Sequence, residues 1–238
     1  ALEKLDKALG PDCGTLAVRY TVSKPNWHHR EDELLPWEGT QTWYLSKNRL
    51  VGLISLGATT DDRRAAIIGR IRLGMSRAIE PDGKDAWRYG NMAVRIHAHN
   101  YSKIEIGPSE TFYLDKPEKY RSTEITLVDP LSVQSARGDD VVFKKGTAYD
   151  FLVEVRPVSS PGAEALDRVD AGECAAFQFR ENGRSICVMH NPTDGALSVP
   201  LPPAFNDATA HDDITGKGRR LVGSRLALQP HRHVLLIK

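Results

Sequence analysis

Apolar side chains recur at every second position through most of this chain, and that period is the strongest constraint on its fold. "TLAVRYTV" sets Leu16, Val18, Tyr20 and Val22 on one side of an extended backbone, because successive residues of a strand point to opposite faces. "TQTWYLS" and "LVGLISL" read as a hairpin across "SKNR". The pattern continues through "AIIGRIRLG", "NMAVRIHAHNY", "SKIEIG", "ETFYL", "RSTEITLVD", "DVVFKKG" and "YDFLVEVRP". Turn residues interrupt it about every 8–15 positions, the spacing of a sandwich or barrel and not of βαβ units. Residues 15–156 are therefore expected to form a large antiparallel β-sandwich. Residues 157–172 hold prolines, serines and glycines and read as a linker or exposed crossing. Residues 173–238 return to short strands, "CAAFQF", "SICVMHN", "ALSVPL", "TAHDDIT", "RLALQP" and "HVLLIK", and are expected to form a smaller β-sandwich. The fold class is thus all-β.

Residues 1–14 differ. In "LEKLDKAL", Leu2, Leu5 and Leu9 lie on one helical stripe, and Gly10-Pro11 ends it. So short a helix is marginal alone in water. It is expected either as the last helix of a preceding helical domain or as a short helix packed under the β-region. The first residue, Ala1, is not Met, as in a processed chain or a piece of a longer one.

Charge is nearly balanced, with 32 basic and 31 acidic residues in 238, which argues against a general nucleic-acid binder. No run approaches the ~18 apolar residues of a membrane span. Cys174 and Cys187 flank "FRENGRS", where Asn182-Gly183 marks a tight hairpin turn. That register sets Gln178 opposite Cys187 and Asn191 opposite Cys174. The two sulfurs then stand about 13 Å apart along the strand, too far for a bridge. In the same register Phe177 and Phe179 share a buried face with Ile186 and Val188.

The segment "RIHAHNYSK" raises the main chemical question. If it is a regular strand, Val94, Ile96 and Ala98 point inward, and Arg95, His97, His99 and Tyr101 emerge together on the other side. Three readings stay open: a metal pair, a solvated strand face, or a surface whose imidazole, guanidinium and phenol groups bond a polar, anionic ligand. A catalytic metal site wants three protein ligands, and no third stands at a diagnostic spacing, so no metal is assigned. Arg70 and Arg72 would join the array if their strand lay beside this one, and would suit carboxylate or sulfate groups. Otherwise they pair with Glu105 or Glu124. "NWHHREDELLPWEGTQTWY" holds Trp27, Trp37 and Trp43 with His28 and His29. Trp27, His28 and Trp37 could stack against sugar C–H faces or simply pack. His231 and His233, a second H-x-H, read as the surface end of the last strand. A nucleophile elbow, a P-loop and a dinucleotide fingerprint are all absent, and no cofactor is expected.

The tail runs from "HN" (His190-Asn191) through "D-x-x-T-G" (Asp212/Asp213 to Gly216) and "L-x-L-x-P" (Leu226, Leu228, Pro230) to "VLLIK". It resembles the closing β-sandwich of multidomain carbohydrate-active enzymes. The larger β-region behind a helix resembles the sandwich that follows the helical toroid in polysaccharide lyases of the hyaluronate-lyase or heparinase type. The resemblance implies a portion of a secreted or periplasmic polysaccharide-degrading enzyme. Such a portion would support a helical catalytic domain, or a second chain, and contact an acidic polysaccharide or oligosaccharide. It also implies that His97, His99 and Tyr101 are the candidates to join a lyase site, with Arg70, Arg72, Arg95, Trp27, His28 and Trp37 holding substrate. Alternatives are a lyase whose cleft is completed by another domain, and a structural or adhesion module.

Overall fold

Alternation becomes strands almost throughout the computed structural model, which describes residues 2–24, 33–63, 69–75, 79–99, 101, 103–109, 122–129, 131, 134, 140–158, 166–169, 171–212 and 217–238. The largest sheet has seven antiparallel strands in the order β1 (Gly14–Lys24), β2 (Glu33–Leu45), β3 (Leu50–Ala58), β10 (Ala148–Pro157), β7 (Met92–His99), β6 (Ala86–Tyr89), β5 (Ile79–Pro81). A three-stranded sheet, β4 (Gly69–Met75), β9 (Ser122–Val128) and β8 (Lys103–Ser109), is separate from it. Downstream, a six-stranded sheet runs β11 (Asp167–Val169), β12 (Ala175–Glu181), β13 (Arg184–His190), β18 (His233–Ile237), β15 (Thr209–Asp212), β16 (Gly218–Arg220). A hairpin of β14 (Leu197–Pro200) and β17 (Arg225–Leu228) completes the set. The all-β expectation holds, and the short helix α1 (Leu2–Leu9) precedes the strands as expected.

Three apolar cores hold the sheets face to face. One face of the seven-stranded sheet, with Trp37, Ile54, Val94, Ile96, Phe151 and Val153, meets Ile125 of β9 and Phe143. Its other face, with Tyr44, Val51, Leu53 and Leu152, meets Phe177, Ile186, Val188, Leu235 and Ile237 of the six-stranded sheet. The far face of that sheet, with Ala176, Cys187, Met189 and Leu236, packs on Val199, Leu226 and Leu228 of the hairpin. Strands β10, β13 and β18 are thus buried from both sides, as their apolar runs require. Helix α1 inserts Leu5 and Leu9 into the middle core, so it packs under the β-region.

The hairpin register follows the expectation: Gln178 pairs with Cys187, Phe177 with Val188 and Phe179 with Ile186. Asn182 and Gly183 take left-handed φ of 52° and 74°, as the tight turn needs, and all three cysteines are free. Strand pairing decides two points that periodicity left open. Strand β4 pairs with β9, in a different sheet from β7. Arg72 stands in register with Glu124, so Arg70 and Arg72 do not flank the His97 strand. Residues 157–172 are not merely a crossing, because Asp167–Val169 pair with β12 as a sheet edge. Within "DVVFKKG" only Phe143 is bridged, to Asp62, and "ETFYL" lies outside the described residues.

Two glycines make room for aromatic rings across the ladder. Gly39 pairs with Tyr20 and Gly52 with Trp43, and each ring lies flat over the bare backbone. A Cβ on Gly52 would stand 2.2 Å from the Trp43 ring, whereas on Gly57 of the same strand its nearest neighbour would be 3.9 Å away. Gly52→Ala should therefore cost about 1–3 kcal/mol through overpacking, while Gly57→Ala stays close to wild type. Urea unfolding of both variants checks this, and equal stability would refute the ring-over-glycine account.

Candidate functional site

One face of β10 carries Asp150, Leu152 and Glu154, spaced by two. All three are fully or almost fully buried between the seven- and six-stranded sheets. Buried carboxylates persist only when charges and donors surround them. Glu154 accepts from the Arg49 guanidinium at 2.8 Å and contacts His97 Nε2 at 2.8 Å. Arg49 also stands over the Phe179 ring, 4.7 Å from its centroid, and 3.8 Å from Glu181. It therefore joins one sheet to the other.

This places His97. Strand β7 carries one residue more than β10 at this point: Ile96 pairs with Val153, but Ala98 pairs with Leu152 and His99 with Phe151. His97 keeps the phase of Arg95 and so stays on the Glu154 face, which the six-stranded sheet covers; the bulge shifts the two-residue phase only beyond it. The His97 side chain is only 4% exposed, bonded to Glu154, with its ring centroid 5.0 Å from that of Phe177. Tyr101 is buried in the other core, stacked on Tyr149 at 5.1 Å. Burial, followed by the nearby Tyr149, pushes its phenol well above the usual range. The expected outward set of Arg95, His97, His99 and Tyr101 is thus corrected: His97 and Tyr101 are buried on opposite sides of the sheet. Arg95 is half-buried, in register with Glu154 and Ala86. The side chains of His99, Arg70 and Arg72, and all of Trp27 and His28, lie outside the described residues. Trp37 has no exposed surface and donates its indole N–H to Asp62 at 2.8 Å, which makes it a core residue and not a sugar platform.

The opposite end of the β10 face is open. Asp150 Oδ1 accepts from Ser55 Oγ at 2.6 Å, and Oδ2 meets His231 Nδ1 at 2.6 Å and His190 Nε2 at 3.5 Å. His231 Nε2 in turn meets Asp194 Oδ1 at 2.9 Å. His190 stacks on His233 with centroids 4.3 Å apart. Behind these contacts stands Asn191, fully buried. Its Nδ2 donates to the carbonyls of Gly195, Leu228 and Gln229, and its Oδ1 accepts from the N–H and hydroxyl of Thr193. One amide thereby ties the Asp194 loop to the β17–β18 turn that carries His231.

Proton affinities follow from these contacts. Between two carboxylates, His231 is held above the ordinary imidazole value, chiefly by its hydrogen bond to Asp150. Burial alone would raise the Asp150 carboxyl, but the bonds from His231 and Ser55 keep it below the usual carboxylate range. His190, sealed from water beside His233, is pushed down to about 3 and is neutral at ordinary pH. His231 also holds a left-handed φ of 52°, a conformation that a non-glycine residue keeps only where its surroundings insist on it. Ser55 gives its proton to a carboxylate and not to an imidazole, unlike the serine of a Ser–His pair.

His231 borders a cleft of about 1030 Å³. Its floor is the same sheet face, beyond the reach of the six-stranded sheet. Arg19, Thr40, Ser55 and Asp150 form one row in register across four strands, and Thr21, Glu38, Gly57 and Ala148 form the next. Pro230, His231 and Arg232 form the wall. Arg19 is exposed. Among the described residues, no group of three or more His, Cys, Asp or Glu side chains converges as a metal site would. Beside the exposed Glu38 carboxylate the cleft offers guanidinium, imidazole and hydroxyl groups, donors that suit a hydroxyl-rich ligand bearing anionic groups.

Sequence reasoning missed Arg19, Ser55, Asp150, Asp194 and Arg232, and took His231 for a surface residue. One signal was present. "YDFLVEV" places two carboxylates on one face of a strand that is otherwise apolar, and such groups need buried partners. No protein-family model matches the sequence, and no curated protein matches it. These comparisons do not identify a carbohydrate-active domain.

The His231 contacts set a pH dependence. Its folded pKa lies above the unfolded value of about 6.5, so its stabilising contribution is full below that value and is lost as pH rises through the folded pKa. The melting temperature should fall over that interval in wild type and change less in His231→Asn. Parallel melting curves for the two proteins across it would contradict the ion pair. Asn191→Ala should cost about 1–3 kcal/mol through the unmet backbone carbonyls, a loss that chemical denaturation would measure.

Proposed function

We propose that this chain is the β-sandwich portion of a polysaccharide-degrading enzyme, which supports a catalytic domain and contacts an acidic glycan through the cleft beside His231. The observation that carries this reading is the row of Arg19, Thr40 and Ser55 running under the His231–Arg232 wall of an open cleft of about 1030 Å³. Sugars present many hydroxyls, and uronates add a carboxylate to each unit. Guanidinium groups engage carboxylates through paired hydrogen bonds, and threonine and serine hydroxyls match sugar hydroxyls. The wall beside His231 and Arg232 replaces the β7 histidines as the contact surface, because the six-stranded sheet covers the face on which His97 lies.

The half-buried His231 is biased toward its protonated form, because both ring nitrogens face carboxylates. That state favours holding an anionic group over removing a proton from one, so contact and support is preferred to a complete lyase centre within this chain.

Calorimetric titration with an oligogalacturonate, beside a neutral cello-oligosaccharide, tests the reading. Wild type should bind the acidic sugar and ignore the neutral one. Arg19→Ala should weaken binding by about tenfold, the scale of one charge-assisted hydrogen bond, with little change in melting temperature because the side chain is exposed. Equal affinity for both sugars, or an Arg19→Ala variant that binds as well as wild type, would reject the proposal.

A further inference from the structure

The two carboxylates on the His231 ring differ in character. Nδ1 meets Asp150 at 2.6 Å, and Asp150 is fully buried. Nε2 meets Asp194 Oδ1 at 2.9 Å, and the Asp194 side chain is 90% exposed. Among the described residues the His231 ring is the one polar partner of that side chain. A buried carboxylate that loses a donor is left uncompensated, whereas an exposed one exchanges its partner for water at little cost. The Asp150 contact is therefore permanent and sets the direction of the ring. The Asp194 contact is the one that can change.

The backbone on either side of Asp194 is held in place. Asn191 Oδ1 accepts from the Thr193 N–H at 3.0 Å, and Asn191 Nδ2 donates to the Gly195 carbonyl at 2.7 Å. One buried amide thus pins both neighbours of Asp194, while its carboxylate is restrained by the imidazole. The same amide donates to the Leu228 and Gln229 carbonyls, which lead into the turn that bears His231. Carboxylate and imidazole are brought together by a single anchor. His231 itself lines the cleft, with its side chain 14% exposed.

We infer that Asp194 stands in for a ligand carboxylate, and that an acidic ligand enters the cleft by taking its place on His231 Nε2. The inference rests on the proposed glycan contact. It adds the atom that receives the acidic group and the residue that holds that atom beforehand. The exchange is like for like: one carboxylate replaces another at the same ring N–H, and Asp194 passes into water. A neutral sugar hydroxyl accepts that hydrogen bond more weakly than the carboxylate it would displace, so the exchange favours a uronate. Asp194 keeps the ring aligned for its ligand and competes with that ligand for it.

Calorimetric titration of the full chain with an oligogalacturonate tests this in wild type, Asp194→Ala, His231→Asn and the double variant. Asparagine suits position 231 because it tolerates the left-handed backbone there. Asp194→Ala should bind about two- to fivefold more tightly than wild type, the worth of one exposed ion pair. In the His231→Asn background the same substitution should leave affinity unchanged, since no ring remains to be released. A gain that persists without His231 reports only the removal of a negative charge and overturns the inference. So does an Asp194→Ala variant that binds no better than wild type. Acetate forms a second arm, followed through the ring-nitrogen resonances of His231. It should shift them at lower concentration in Asp194→Ala than in wild type, and equal shifts would refute the exchange. If acetate behaves as expected and oligogalacturonate binds neither protein, the glycan contact falls and the exchange at Nε2 stands. If oligogalacturonate binds, Arg19→Ala weakens it and Asp194→Ala leaves it unchanged, the glycan contact stands and the exchange falls.

Discussion

Two carboxylates on one strand, Asp150 and Glu154, govern how the sheets of this protein meet. They bracket Leu152 on a face of β10 that water does not reach. Leaving either one without its partners would cost about 3–5 kcal/mol, so the six-stranded sheet, the residues before β3 and the β17–β18 turn must all supply the compensation. Glu154 draws in Arg49 and His97, and Arg49 reaches Phe179 and Glu181 of the other sheet. Asp150 draws in Ser55, His231 and His190. Between these polar ends lies an apolar strip of Val51, Leu53, Leu152, Phe177, Val188 and Leu235. Apolar contact is non-directional and would let the sheets slide. The two charged ends fix where they stop.

The cleft is a consequence of that arrangement. The seven-stranded sheet is wider than the sheet that covers it, so the outer parts of β1, β2 and β3 remain open beside the last polar contact. Asp150 belongs to the packing, and its partners Ser55 and His231 line the cleft. Any ligand that meets His231 therefore meets a ring oriented from below by a buried carboxylate, and needs little reorganisation to form hydrogen bonds. The same turn places Arg232 beside His231 on the wall of the cleft.

Much of the fold was legible one segment at a time. Phe177, Phe179, Ile186 and Val188 announced the hairpin, because a tight Asn-Gly turn leaves one register and that register sets all four on the core-facing side. The β2–β3 hairpin and the helix Leu2–Leu9 were equally plain. The array of Arg70, Arg72, Arg95 and His97 was not, for two reasons. Which strand lies beside which is decided by long-range pairing, and β4 chose β9. Arg95 and His97 do share the face that the alternation gives them, but "RIHAHNY" cannot show that a second sheet covers it at His97. Trp37 shows the same limit: its polar neighbours suggested exposure, while its indole N–H had a distant acceptor in Asp62.

Alternating hydrophobicity and turn chemistry alone were enough to make this an all-β chain with a short leading helix, because side-chain period and turn conformation are properties of neighbouring residues. Tertiary structure decided which histidines are sealed and which border open space. His97 and His231 stand in similar H-x-H settings, yet one is locked between sheets and the other edges a cleft. That difference depends on what lies above each strand, and only the packing of one sheet on another determines it.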